Sequence, residues 1–115
     1  GATFTRIDWV AREFRDKLGY VPYPGTLNLS LSGDAWEQAR ERLQQAAGIA
    51  IVPPRGYCAA KCFEVLINDC IEGAAVLPDV ADYPPDKLEI VAPIAVRQEL
   101  KLQDGDRVSL RVRIE

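Results

Sequence analysis

The sequence predicts a mainly β fold with inserted helices, arranged as a small barrel of about six strands. Three observations carry that expectation. Segments 26–32 and 108–114 alternate apolar and polar residues with period two. Turn residues, rather than regular crossover helices, separate most apolar runs. The 115 residues suit a single domain with one core, spanning 1–115.

Taken in order, residues 3–7 read as a strand end. Asp8 is a suitable N-cap, because its carboxylate can accept from the open N–H groups of the next turn. Val10, Phe14 and Leu18 recur at helical spacing, and Gly19 follows as a left-handed cap, so a helix spans 9–18. Val21-Pro22-Tyr23-Pro24-Gly25 cannot continue it, since its prolines lack donors and fix φ. A strand over 26–32 turns Leu27, Leu29 and Leu31 one way and Thr26, Asn28 and Ser30 the other. Asp34 then caps a second helix, with Trp36, Ala39, Leu43, Ala46 and Ala47 on its buried side and Gly48 at its end.

The remainder is β. Ile49–Val52 is a short strand stopped by Pro53-Pro54. Cys62–Ile67 and Ile71–Leu77 pair around Asn68-Asp69, residues that tolerate turn conformations. Residues 78–86 form a loop with three prolines and three aspartates. Leu88–Val91 is a strand ended by Pro93, 94–100 form one or two helical turns, and Asp104-Gly105-Asp106 is a turn. Val108, Leu110, Val112 and Ile114 give the last strand its inward face, with Arg107, Arg111 and Arg113 facing solvent.

Composition excludes several functions. The chain contains no His, which removes His triads, His–zinc sites and His general bases. A net charge of −3, a pI near 5.0 and dispersed basic residues argue against nucleic-acid binding. No apolar run approaches the roughly 18 residues that cross a bilayer. Three cysteines, Cys58, Cys62 and Cys70, fit neither a disulfide framework nor a zinc knuckle and read as free thiols. The cytoplasm is the expected compartment. No Walker A or protein-kinase signature is present, so any nucleotide site is of another type.

Chemistry concentrates at 18–29. Prolines and Gly25 stiffen a turn at the mouth of a strand. Period-two geometry then sets the Thr26 hydroxyl and the Asn28 amide on one face, about 7 Å apart. Two neutral oxygens so placed either face water or suit a hard cation such as Mg²⁺, which takes phosphate oxygens and waters for its other ligands.

The segment Gly19-Tyr20-Val21-Pro22-Tyr23-Pro24-Gly25-Thr26-Leu27-Asn28-Leu29 resembles the signature of the CTP-dependent riboflavin kinases. So does Leu88-Glu-Ile-Val-Ala-Pro-Ile-Ala-Val-Arg-Gln-Glu-Leu-Lys-Leu-Gln-Asp-Gly-Asp106, with Gly73-Ala-Ala-Val-Leu-Pro78 between them. Residues 33–60 match poorly.

The resemblance implies a cradle-loop β-barrel that transfers the γ-phosphoryl of CTP to the ribityl 5′-hydroxyl of riboflavin, giving FMN and CDP. By the same resemblance Thr26 and Asn28 hold Mg²⁺. Gly1 and Ala2, the end of a glycine-rich loop, and Ala95, Val96, Arg97 and Gln98 line the nucleotide. Ala81 and Glu89 contact the flavin, and Glu89 orients or deprotonates the attacking hydroxyl. Riboflavin or FMN and CTP or CDP are the expected partners.

The chain departs from that pattern in three ways. The barrel's first strand and most of the glycine-rich loop are expected upstream of Gly1, consistent with a start that is not Met. Ala81 stands where the pattern has Thr, and Gln98 where it has Glu. These departures keep two alternatives in view: a barrel that binds flavin or nucleotide without turnover, and a dimerising barrel with no small-molecule site.

Overall fold

Leu27, Leu29 and Leu31 need an apolar partner, and the fold supplies it from a segment some sixty residues away. The computed structural model describes residues 8–56, 58–80 and 82–114. Along the chain run α1 (Asp8–Leu18), β1 (Leu27–Ser30), α2 (Asp34–Gln45), β2 (Ile49–Ile51), β3 (Ala60–Ile67), β4 (Ile71–Pro78), β5 (Lys87–Val91), α3 (Val96–Glu99) and β6 (Leu110–Val112). β1 pairs antiparallel with β5, setting Leu27 opposite Ile90 and Leu29 opposite Leu88.

The six strands form one antiparallel sheet in the order β1-β5-β4-β3-β2. β6 also pairs with β3. The far edge of β3 is therefore shared, with β2 along Ala60–Cys62 and β6 along Val65–Ile67. Among the described residues no ladder joins β1 to β2 or β6, and the sheet is a curled half-barrel.

Both faces are covered. On one, Val10 and Phe14 of α1 are fully buried against Ile51, Cys62, Ala74, Val76 and Val91. Val10 and Phe14 each contribute about 1.5–3 kcal/mol on leaving water. Glu13 and Lys17, an i,i+4 ion pair, fasten α1 to β2: Glu13 accepts from the Val52 N–H at 2.9 Å, and Lys17 donates to the Ala50 carbonyl. On the other face Val65, Ile67, Ala75, Leu88, Ile90 and Val96 pack with Leu27, Leu29, Leu31 and Trp36.

The turns follow their residues. Gly19 closes α1 at φ +87°, its N–H donating to the Phe14 and Arg15 carbonyls. Asn68 and Asp69 both take positive φ, 50° and 59°, in the three-residue connection 68–70 that turns β3 into β4. The expected turn of helix within 94–100 is α3.

The structure corrects the reading of α2. Gly33, at φ +95°, occupies its N-cap, so Asp34 is the first helical residue and not the cap. Only Leu43 is buried there, while Ala39 and Ala47 are exposed. α2 stands off the sheet and is held at a few points. Lys61 Nζ donates to the Gln44 and Ala46 carbonyls, both at 2.7 Å, and satisfies the helix's open C-terminal end. Residues 3–7, Gly1, Ala2 and Ala81 lie outside the described residues. No helix among the described residues is long and apolar enough to cross a membrane.

Candidate functional site

The turn after α1 is docked on the end of β5. Tyr20 packs against Phe14, with ring centroids 6.3 Å apart, and its hydroxyl lies 3.4 Å from the Val91 carbonyl. Burial pushes the Tyr20 phenol well above the ordinary tyrosine range. Pro22 is buried, and the Tyr23 N–H donates to the Ala92 carbonyl at 2.8 Å. That bond ties the proline turn to the Ala92-Pro93 step and so to the 95–98 stretch beyond it.

From this turn the chain enters β1 through Thr26. The Thr26 Oγ1 atom is buried and has no hydrogen-bond partner. A buried hydroxyl left unpaired costs about 1–3 kcal/mol, so its retention calls for an explanation. Two residues on, Asn28 is exposed and pairs in register with Glu89 of β5. Directly opposed residues of an antiparallel pair share a face. Asn28 and Glu89 therefore stand side by side, and Glu89 is followed across the sheet by Val76 and Cys62.

Glu89 is only partly exposed, with 16% of its side-chain surface accessible. The Tyr83 hydroxyl donates to its Oε1 at 3.2 Å, and Lys87 Nζ lies 3.4 Å from the same oxygen. Lys87 Nζ also stands 5.8 Å from the centroid of the Tyr83 ring. Burial, then the charge and hydrogen bond of Glu89, push the Tyr83 phenol up to about 12.

Tyr83 and Lys87 line a cavity of about 510 Å³ between α2 and the ends of β3, β4 and β5. Trp36 and Arg40 face it from α2, and Asp79 and Leu88 from the sheet side. The Trp36 indole N–H donates to the Pro85 carbonyl at 2.8 Å, which fixes this aromatic wall. A continuous path thus runs from the cavity through Tyr83 and Lys87 to Glu89, across the ladder to Asn28, and on to Thr26.

The 95–98 stretch is placed differently. Val96 is buried in the core, Ala95 is half-buried, and Arg97 and Gln98 are exposed. The Arg97 guanidinium is paired with Asp104, whose carboxyl it holds below the ordinary carboxylate range. Among the described residues, no hydrogen bond or ion pair joins Arg97 to Asn28, and Arg97 is instead engaged by Asp104. The structure thus groups Thr26, Asn28 and Glu89 and leaves the Arg97 side chain on its own ion pair.

Tyr83, Lys87 and Arg40 were not singled out from the sequence, and Trp36 only as part of the buried side of α2. For Lys87 a signal existed, because it and Glu89 are the polar pair of a strand whose other side is Leu88 and Ile90. For Tyr83 none existed, since its approach to Glu89 depends on how the 79–86 loop folds back.

The family model named CTP-dep_RFKase, described as "Domain of unknown function DUF120", matches residues 1–112. Among curated proteins, the chain is 41% identical to a riboflavin kinase of Aeropyrum pernix over 106 residues, 89% of this chain and 80% of that protein. It is 38% identical to a riboflavin kinase of Archaeoglobus fulgidus over 116 residues, 97% of this chain and 49% of that protein. It is 37% identical to a riboflavin kinase of Methanosarcina acetivorans over 117 residues, 98% and 48% of the two chains. The chain spans about half the length of the first of the curated relatives it matches.

Proposed function

The chain belongs to the CTP-dependent riboflavin kinase family, and from that membership we propose that it transfers the γ-phosphoryl of CTP to the 5′-hydroxyl of riboflavin. The bond between the γ-phosphorus and the β,γ-bridging oxygen breaks, a bond from the ribityl oxygen forms, and the hydroxyl proton leaves. FMN and CDP are the products. Phosphoryl transfer asks for positioning and charge neutralisation more than for covalent chemistry, so a chain without His is suited to it.

One observation carries the reading. The buried Thr26 hydroxyl has no partner, and it lies two residues from Asn28, which faces Glu89. A neutral oxygen kept buried and unpaired beside a second neutral oxygen fits a hard cation. Thr26 and Asn28 would hold Mg²⁺, which when bound supplies neutralisation of phosphate charge.

The other residues take their parts from position. Glu89 orients the ribityl hydroxyl or accepts its proton. The cavity beside Tyr83 and Lys87, walled by Trp36, has the flat aromatic lining that suits a flavin ring. Ala95, Val96, Arg97 and Gln98 line the nucleotide, with Val96 acting through its backbone because its side chain is in the core. Gly1 and Ala2, toward the nucleotide, and Ala81, toward the flavin, complete the assignment.

The test is incubation of the full-length protein with riboflavin, Mg²⁺ and either CTP or ATP, with FMN separated and quantified. FMN is expected with CTP and far less with ATP. No FMN from either donor overturns the kinase reading.

A second reading has one observation in its favour. Arg97 is engaged by Asp104 and is followed by Gln98, so little positive charge is free in that stretch. Binding of riboflavin and CDP with no turnover would support a binding module instead.

A further inference from the structure

Two side chains from different parts of the fold meet on one oxygen. Lys87 reaches Glu89 Oε1 along β5, from two residues away on the same face. Tyr83 reaches it from the loop after β4, where described residues on either side of it are anchored to three elements. The Asp79 N–H donates to the Ala59 carbonyl at 2.8 Å, just ahead of β3. The Trp36 indole of α2 donates to the Pro85 carbonyl at 2.8 Å. The Leu31 N–H, just past β1, donates to the Asp86 carbonyl at 2.9 Å. Tyr83 is therefore a hydroxyl delivered from a braced loop.

We propose that Tyr83 is a positioning residue whose hydroxyl fixes the orientation in which the Glu89 carboxylate meets the flavin. This rests on the flavin-kinase reading above. A glutamate has three rotatable side-chain bonds, and ordering it at the moment of binding costs affinity. A donor held by a braced loop settles that orientation beforehand. Lys87 cannot do this alone, because an ammonium on a four-carbon stem is a mobile point charge. Lys87 contributes charge, and Tyr83 contributes direction. Burial keeps the phenol protonated, so it donates throughout the neutral range.

Tyr83→Phe keeps the ring and its contact with Lys87 and removes only the hydroxyl. The readout is the Kd for riboflavin, measured by quenching of flavin fluorescence on the full chain. A rise of about tenfold is expected, the worth of one hydrogen bond to a charged group. The KM for CTP is expected to change less than about twofold, since the change is confined to the flavin side. Lys87→Gln, which leaves the hydroxyl in place, should raise the Kd less than Tyr83→Phe does.

The decisive measurement is a double-mutant cycle with Glu89→Ala, which removes the acceptor oxygen altogether. Once Glu89 is changed, removing the Tyr83 hydroxyl should cost almost nothing more. Additive losses overturn the proposal. So does a fall in Tm with the riboflavin and CTP constants shifted alike, which marks a packing role. A wild-type protein that binds riboflavin but forms no FMN leaves the cycle readable and overturns only the kinase reading. A wild-type protein that does not bind riboflavin overturns both.

Discussion

Asn28 and Glu89 are register partners across the β1–β5 ladder, although sixty residues of chain separate them. That pairing brings two separate sequence segments together in one candidate site. It sets a neutral amide beside a carboxylate that already accepts from Tyr83 and pairs with Lys87. A site built this way keeps its negative charge on Glu89 and offers neutral oxygens at Thr26 and Asn28. That division suits a cation shared with phosphate, since a site of many carboxylates would repel the nucleotide.

The first prediction separates stability from function at one atom. Thr26→Val replaces a buried, unpaired hydroxyl with a methyl group of the same shape. Removing an unsatisfied polar group should leave stability unchanged or raise it by about 1 kcal/mol. The affinity for Mg²⁺-nucleotide should fall at least about tenfold if the hydroxyl is a ligand. Thermal melts and titration calorimetry with CDP and Mg²⁺ read the two effects. A loss of stability with unchanged affinity would show that Thr26 is structural. Asn28→Ala, at an exposed position, should weaken the same binding while leaving the melt almost unmoved.

The second prediction concerns Gly73, where β4 meets β5. A Cβ built there would lie 2.8 Å from the Val91 carbonyl oxygen, a backbone atom that cannot swing aside. Gly73→Ala should therefore push β5 away and destabilise the fold by about 1–3 kcal/mol. Urea denaturation measures this directly. Because Glu89 lies on β5, riboflavin binding should weaken in the same variant. Gly105→Ala is a useful contrast, since it meets open space but carries φ +92°, and its cost is conformational strain alone.

The third prediction uses the thiols. Cys58 and Cys70 are exposed, whereas Cys62 is fully buried beside Val76. Burial pushes the Cys62 thiol up to about 12, and the charge of Lys17 pulls it back in part. A disulfide reagent at neutral pH should modify Cys58 and Cys70 quickly and Cys62 only after denaturant is added. The sign of the linkage follows from the raised value. The folded state favours the protonated thiol, so that contribution is fully present below the ordinary value of 9.0 and is lost as pH rises toward 12. Cys62→Ala should flatten the alkaline end of the stability profile and leave a small cavity.

These sites show how far periodicity reaches. The alternation at Leu27, Leu29 and Leu31 identified both the strand and its wet side, so Asn28 could be placed on a face from sequence alone. Asn68-Asp69 and Asp104-Gly105-Asp106 identified turns because their conformations demand those residues. Periodicity does not say which strand lies alongside. Family resemblance named Asn28 and Glu89 separately, their pairing in register came only with the fold, and Tyr83 was not indicated at all. The misreading of α2 has a related cause. Ala39 and Ala47 follow the helical period, but a methyl group gains little from burial, and α2 is held instead by Trp36, Leu43 and Lys61. Gly33 took the cap from Asp34 because a residue at φ +95° favours glycine.

The last prediction concerns Arg97. In the free chain its guanidinium is paired with Asp104, and both side chains are largely exposed. An exposed pair is screened by water and contributes little, so nucleotide phosphate can displace Asp104 at small cost. Asp104→Asn removes the competitor. It should tighten CTP binding by about two- to fivefold at low salt, and the gain should shrink as salt screens both partners. Arg97→Gln should weaken binding and abolish the effect of Asp104→Asn. The pH dependence has a definite sign. Arg97 holds the Asp104 carboxyl below its ordinary 3.8, so the pair stabilises the fold above that value and loses its contribution as pH falls through the depressed one. Wild type and Asp104→Asn should therefore converge in Tm in strong acid. If Asp104→Asn leaves the KM for CTP unchanged while Arg97→Gln raises it, Arg97 reaches the nucleotide without ever leaving a competing partner. If neither variant moves it, Arg97 is a solvated helix residue and the nucleotide is bound by backbone groups.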